Sequence, residues 1–271
     1  MADKPNDFTN PNPEADPDSG DNTSAFVAAL MAPLAPLAKY KPRSHETSKT
    51  THLPLLQRQQ RPPTIVLLGD SMVERMTTTG ESPNLVAPWP SAAMLPDSEL
   101  PAGTGRLHGV LNAGVGGDKV QNIAYRLVGE RHPEDGEKDL AGLLEALVGC
   151  GPGRKEGVKL WVVQAGTNNL SVKKGLVDTD RDAFQVVLRA LKDVARELVD
   201  EANKKLMDMV KGLNHEAGMD RVVFLPATDE VKTEEHLVDH VHLSLDGYRV
   251  WMRKLFPAVV GLLKEMEEES S

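Results

Sequence analysis

Residues 65–76 read IVLLGDSMVERM, an apolar run that stops abruptly at Gly69-Asp70-Ser71 and passes into helix-forming residues. The apolar part fits a buried strand, and the polar triplet marks its end. Ser71 then has two readings. As a helix cap, its hydroxyl satisfies an unpaired N–H of the first turn. As a nucleophile, it stands at a strand-to-helix turn beside the positive N-terminal pole of the helix. Taken alone, the stretch favours the cap, a common role of serine at such positions.

Three further apolar runs follow downstream: LHGVLNAG (107–114), KLWVVQAG (159–166) and RVVFLPA (221–227), with helical patterns between them. Strands that are apolar on both faces and joined by long connections predict an α/β fold with a parallel sheet covered by helices. Three runs end in glycine followed by a polar cluster, GDS, GVGGD and GTNN. Ligands of open α/β sheets bind outside the carboxyl ends of the strands, so these clusters are expected to converge. Residues 182–216 read as helical with only Gly212 as a breaker, and two helices meeting near 199–203 are expected. The last helix is expected to begin near Ser244 and to be kinked or interrupted at Pro257. PWPSAAMLPDSELPAGTG (88–105) reads as an irregular insertion, most simply a solvated loop, with a substrate rim as the alternative.

The chain has 271 residues, 40% hydrophobic and 26% charged, enough to bury a sizeable core in one soluble domain. Its net charge of -9 argues against nucleic acid as a partner, because neutralising phosphates needs a basic surface. The single cysteine, Cys150, excludes an internal disulfide framework and fits a reducing, cytoplasmic compartment. GCGPGR gives that thiol no nearby histidine, so it reads as structural rather than reactive. The acidic, proline-rich start does not resemble a secretory signal. The apolar stretch 26–38, broken by Pro33 and Pro36, falls well short of the ~20 residues a membrane-spanning helix needs. Residues 1–61 are therefore expected to be disordered or loosely packed, 62–265 to form the folded domain, and 266–271 to be an acidic tail.

The chemistry-bearing residues gather around Ser71. DHVHLSLDGYRVW (239–251) supplies Asp239 and His242 at i, i+3, which a helical turn would place on one side. The carboxylate could then orient the imidazole as a general base for Ser71. Acyl transfer also needs donors aimed at the developing oxyanion. Gly117 in VLNAGVGGDK can bring a backbone N–H close because no Cβ intervenes, the Asn168 amide of QAGTNN can donate from the neighbouring strand end, and the Ser71 N–H makes a third donor. Each residue alone is more simply a turn or cap; together they fill every role the reaction needs.

Four ordered blocks, GDSMVERM, LNAGVGGDKVQNIAYRL, VVQAGTNNL and VDHVHLSLDGY, resemble the SGNH or GDSL hydrolases, named for the Ser, Gly, Asn and His that this combination contains. Within that family they look most like the catalytic subunits of intracellular platelet-activating-factor acetylhydrolases. The resemblance spans about residues 64–263. It implies a three-layer flavodoxin-like fold and a serine esterase acting on a small-molecule ester of a short acyl group, acetyl above all, on a lipid or carbohydrate. It implies Ser71, Asp239 and His242 as the triad, and Ser71, Gly117 and Asn168 as the oxyanion hole. It implies no metal or organic cofactor, and homodimerisation is a family-level expectation. The chain departs from the family pattern in one respect. The helical pattern runs from the GTNN block to RVVFLPA with no intervening strand, so the sheet is expected to lack one strand.

Two other readings compete. His236 and His240 of HLVDHVH fall at i, i+4, a spacing that can bind zinc, but Leu237 stands where an H-E-x-x-H site needs its glutamate. A non-catalytic binding module on the same fold is the other. GVGGDK matches neither the G-x-G-x-x-G nor the G-x-x-x-x-G-K-[ST] spacing, so a nucleotide is not its expected ligand.

Overall fold

The structure, a computed structural model, describes residues 19–59, 61–83, 88–130, 140–148, 158–171, 173–192, 210–211, 213–215, 222–223, 225, 231–239 and 242–268. Among the described residues three parallel strands form the main sheet: β1 (Ile65–Gly69), β2 (Val110–Gly114) and β3 (Leu160–Gln164), in the order β2-β1-β3. The register pairs Ile65 with Val110 and Leu160, and Gly69 with Gly114 and Gln164, so all three strands end at one edge. Most of the expected strand 221–227 lies outside the described residues, as do Cys150, residues 193–209 and residues 1–18.

Side chains alternate across a strand, and β1 shows both halves of that alternation buried. Val66 and Leu68 belong to one apolar cluster, Ile65 and Leu67 to the other. On the first face, Val66 and Leu68 share a cluster with residues of α1 (Ser19–Met31), α5 (Val120–Val128), α6 (Leu143–Val148) and α7 (Asp178–Lys192). On the second, α9 (Leu245–Glu268) contributes Tyr248, Met252, Phe256 and Val259. This is an α/β arrangement with a parallel sheet flanked by helices.

Over residues 19–59 the N-terminal expectation needs correction. Leu30, Leu34 and Leu53 are buried in the first cluster, and the chain forms α2 (Pro42–Thr47) and α3 (Leu53–Arg58), joined by a π-helical turn at Ser48–His52. Proline content had suggested disorder. Pro42 instead occupies the first turn of α2, where the missing N–H has no partner to lose, and Pro54 enters α3 directly after the π-helical turn. At the other end Met266, Glu267 and Glu268 continue α9, which also runs on through Pro257.

The insertion 88–105 is not a solvated loop. Trp89, Met94 and Leu95 are buried in the second cluster. Arg106 donates to the Leu95 carbonyl at 2.7 Å and also pairs with Asp97, Arg249 Nε donates to the Ala93 carbonyl at 2.9 Å, and Arg253 pairs with Glu99. The carbonyls of an irregular chain are thereby satisfied without a ladder, which lets it cover the sheet beside α9.

Candidate active site

The site begins at the β1 edge. α4 (Ser71–Glu74) starts immediately after Asp70, and the cap is Asp70: its carboxylate accepts the Met72 N–H at 2.9 Å. The capping role considered for Ser71 belongs to its neighbour, which leaves the Ser71 hydroxyl free for another partner. Gly114 allows α4 to lie directly on the end of β2, where a Cβ would come within 2.2 Å of the Glu74 nitrogen. Asn112 fastens the contact, donating to the Val73 carbonyl at 2.6 Å while its Oδ1 accepts the Gly114 N–H.

His242 arrives from the other end of the chain. Its Nε2 lies 2.9 Å from Ser71 Oγ, and its Nδ1 lies 2.7 Å from Asp239 Oδ2. Asp239 and His242 do not share a helical turn as the i, i+3 spacing suggested. They lie on a loop between α8 (Thr233–His236) and α9, closed by a bridge between Leu237 and Leu243 and by the Val238 N–H donating to the His242 carbonyl at 2.8 Å. Asp239 Oδ1 also accepts the backbone N–H of His242 at 2.8 Å, so one carboxylate holds both the loop and the ring. Tyr248, on the first turn of α9, donates to the Met72 carbonyl at 2.7 Å and ties that helix to the nucleophile turn.

The remaining sequence-predicted residues line the same edge. Gly117 has φ +76, a left-handed conformation that glycine adopts without strain. Among the described residues neither its N–H nor that of Ser71 has a hydrogen-bond partner. The two asparagines of GTNN divide their work. Asn168 Nδ2 donates to the Asp118 carbonyl at 3.0 Å and, at a longer 3.3 Å, to Asp70 Oδ2. Asn169 accepts the Val120 N–H at 3.0 Å and so caps α5.

Sequence reasoning missed the ionic support beneath these groups. Asp118 and Arg126 are fully buried and paired at 2.8 Å, and Arg126 also donates to the carbonyls of Ala113 and Gly69 at the ends of β2 and β1. Burial pushes the Asp70 carboxyl up to about 6; the Met72 N–H opposes that shift, the Asp118 charge adds to it, and His242 and Thr167 oppose it. The Asp118–Arg126 pair spans eight positions across the start of α5, outside the i, i+3 and i, i+4 pairs that helical periodicity flags. The GD of GVGGDK was the available signal for Asp118, and nothing flagged Arg126.

An imidazole with a hydroxyl on Nε2 and a carboxylate on Nδ1 can take the hydroxyl proton while the carboxylate stabilises the cation formed. Among the described residues no group of three or more His, Cys, Asp or Glu could hold a metal ion. His236 uses Nδ1 to accept the Lys232 N–H at 2.9 Å, and His240 lies outside the described residues. No helix among the described residues is long and apolar enough to cross a membrane.

No protein-family model matches the chain, and no curated protein does. Among solved structures it is similar to one from Streptococcus pneumonia, provisionally named a platelet activating factor, with 16% identity and a TM-score of 0.46, over 79% of this chain and 92% of that one. At that level of likeness, any functional reading has to stand on the geometry of the site.

Proposed function

We propose that the chain is a serine esterase of SGNH type, built on a flavodoxin-like three-layer fold and acting on short acyl esters, acetyl esters of a lipid or carbohydrate in particular. The observation that carries this reading is the continuous contact from Ser71 Oγ through the His242 ring to Asp239, at 2.9 and 2.7 Å. His242 Nε2 takes the proton as Ser71 Oγ attacks the ester carbonyl, and the Nδ1–H donates to Asp239. The carbonyl π electrons move onto oxygen, which meets the N–H groups of Ser71 and Gly117 and the Asn168 amide. The long Asn168–Asp70 contact is the one that can yield a hydrogen to the oxyanion. Collapse breaks the bond to the alcohol, which leaves with the proton from His242. Water, deprotonated by the same ring, then attacks the acyl-serine, and the acid departs as Ser71 regains its proton.

The test is to treat the protein and its Ser71→Ala variant with a fluorophosphonate probe and then with p-nitrophenyl acetate. Labelling and turnover that disappear in the variant are the expected result. A folded parent protein that neither labels nor turns over would defeat the esterase reading and favour a binding module.

A further inference from the structure

The N-terminal segment that resemblance leaves unexplained runs along the loop bearing Gly117. The Lys39 N–H donates to the Gln121 carbonyl at 3.0 Å, and its own carbonyl accepts Asn122 Nδ2 at 2.9 Å, which lays the chain against the start of α5. Lys41 then reaches into the loop. Its Nζ donates to the Gly116 carbonyl at 2.7 Å and to Asp118 Oδ1 at 3.0 Å. Ser44 Oγ donates to the same carboxylate oxygen at 2.5 Å. Arg43 pairs with both oxygens of Glu74, on the helix that starts with Ser71, at 2.9 and 3.0 Å.

These contacts meet at the residues flanking the candidate oxyanion donors. Gly117 lies between Gly116, whose carbonyl Lys41 holds, and Asp118, whose carboxylate Lys41 and Ser44 hold from one side and Arg126 from the other. The Asp118 carbonyl in turn accepts the Asn168 amide. A Cβ at Gly117 would lie 3.2 Å from Lys41 Nζ, so the cation packs directly against the turn that presents the Gly117 N–H. Fixing Asp118 therefore fixes two donors at once, one through the chain and one through a hydrogen bond.

We propose that residues 39–44 form a strap that sets the oxyanion donors, with Lys41 as a positioning residue acting on Gly117 and Asn168 through Gly116 and Asp118. This deepens the esterase reading and rests on it. A donor misplaced by about 1 Å weakens the transition state far more than the ground state, which has little negative charge for it to meet. Loss of the strap contact should thus appear in kcat and leave KM alone.

The experiment compares the full-length protein with Lys41→Met, which keeps the apolar stem, and Lys41→Arg, which keeps the cation. Turnover of p-nitrophenyl acetate, fluorophosphonate labelling rate and melting temperature are measured for each. Lys41→Met should lose about 10- to 100-fold in kcat with KM within about twofold, and Lys41→Arg should recover most of it. An unchanged kcat, with or without a lower melting temperature, overturns the inference, as does a raised KM at constant kcat, which would make Lys41 a substrate contact. Should Lys41→Met fail to fold, Ser44→Ala tests the same Asp118 oxygen, and an unchanged kcat there is equally fatal. If the parent protein does not label at Ser71, the esterase reading fails first and takes the strap with it; if it labels and the variants match it, only the strap is wrong.

Discussion

The strand-edge half of the site and the loop that brings in His242 are held in opposite ways. At the edge, Asp118 is fully buried and bound by Arg126, Lys41 and Ser44, and Asn112 joins the end of β2 to α4. In the loop, Asp239 is 47% exposed, it accepts from His242 three residues away, and it pairs with Arg75 at a long 3.9 Å. A buried charge network is stable only when every member is satisfied, and such a network resists displacement. The loop is closed by its own hydrogen bonds and anchored in the second apolar cluster by Leu243. Donors that must already be in place when charge develops thus sit on the stiff half, while the base, which must accept and release a proton, sits on the half open to water.

If that division holds, damage to the loop should be a catalytic event and not a structural one. Replacing the base is expected to have the largest effect of all. His242→Ala should lower p-nitrophenyl acetate turnover by about a million-fold and Asp239→Asn by about ten-thousand-fold, following the behaviour of such triads elsewhere. Both should keep their unfolding free energy within about 0.5 kcal/mol of the parent, as substitutions away from a core do. Urea denaturation of the two variants checks this, and a large loss of stability in either would show that the loop is not the independent half.

The edge should respond in the reverse sense. Arg126→Met leaves the Asp118 carboxylate buried with its Arg126 contact gone, and removes the Arg126 donor from the Ala113 and Gly69 carbonyls, of which Gly69 keeps the Val115 N–H at 3.0 Å. Removing one member of a buried pair typically costs about 3–5 kcal/mol. The urea unfolding free energy should fall by that order, and a loss below about 1 kcal/mol would mean the network is slack.

The same contrast explains what the sequence could reveal. The central strands were legible because Ile65–Gly69 is apolar on both faces, and a fully buried strand needs no more pattern than that. The carboxyl-edge clusters were legible because strand direction alone brings GDS, GVGGD and GTNN together. Asp239 and His242 were paired through a helical turn that does not exist; the loop brings them together because an aspartate carboxylate can accept a nearby backbone N–H. The strap was invisible, since Lys41 and Asp118 are 77 positions apart and neither carries a local signal of the other; the Asp70 cap is local, an aspartate directly before a helix, and was overlooked in favour of Ser71. Proline misled in the same region, because its count does not say whether it breaks a helix or begins one.

The buried half also carries a measurable tension. Asp70 is pushed up to about 6 from an ordinary 3.8, mainly by burial, and buried His52 is pushed down to about 3 from 6.5, again mainly by burial and then by the Arg126 charge. The raised carboxylate stabilises the fold below pH 3.8 and loses that contribution as pH rises toward 6. The depressed imidazole acts in the other direction: its contribution is complete above 6.5 and is lost as pH falls toward 3. Between about pH 4 and 6 the unfolded chain has the extra proton at position 52 and the folded chain has it at position 70, so the two slopes, each about 1.4 kcal/mol per pH unit, cancel. Asp70→Asn removes one of them. Relative to the parent, this variant should lose stability steadily as pH falls through that window, the difference between them moving by roughly 3 kcal/mol from pH 7 to pH 4. Taking the difference removes the titration of the shared groups that do not interact with Asp70. Urea unfolding of both at pH 7, 5.5 and 4 gives the measurement, and a difference that does not change with pH would mean that Asp70 titrates as an ordinary carboxylate and the edge holds no such tension.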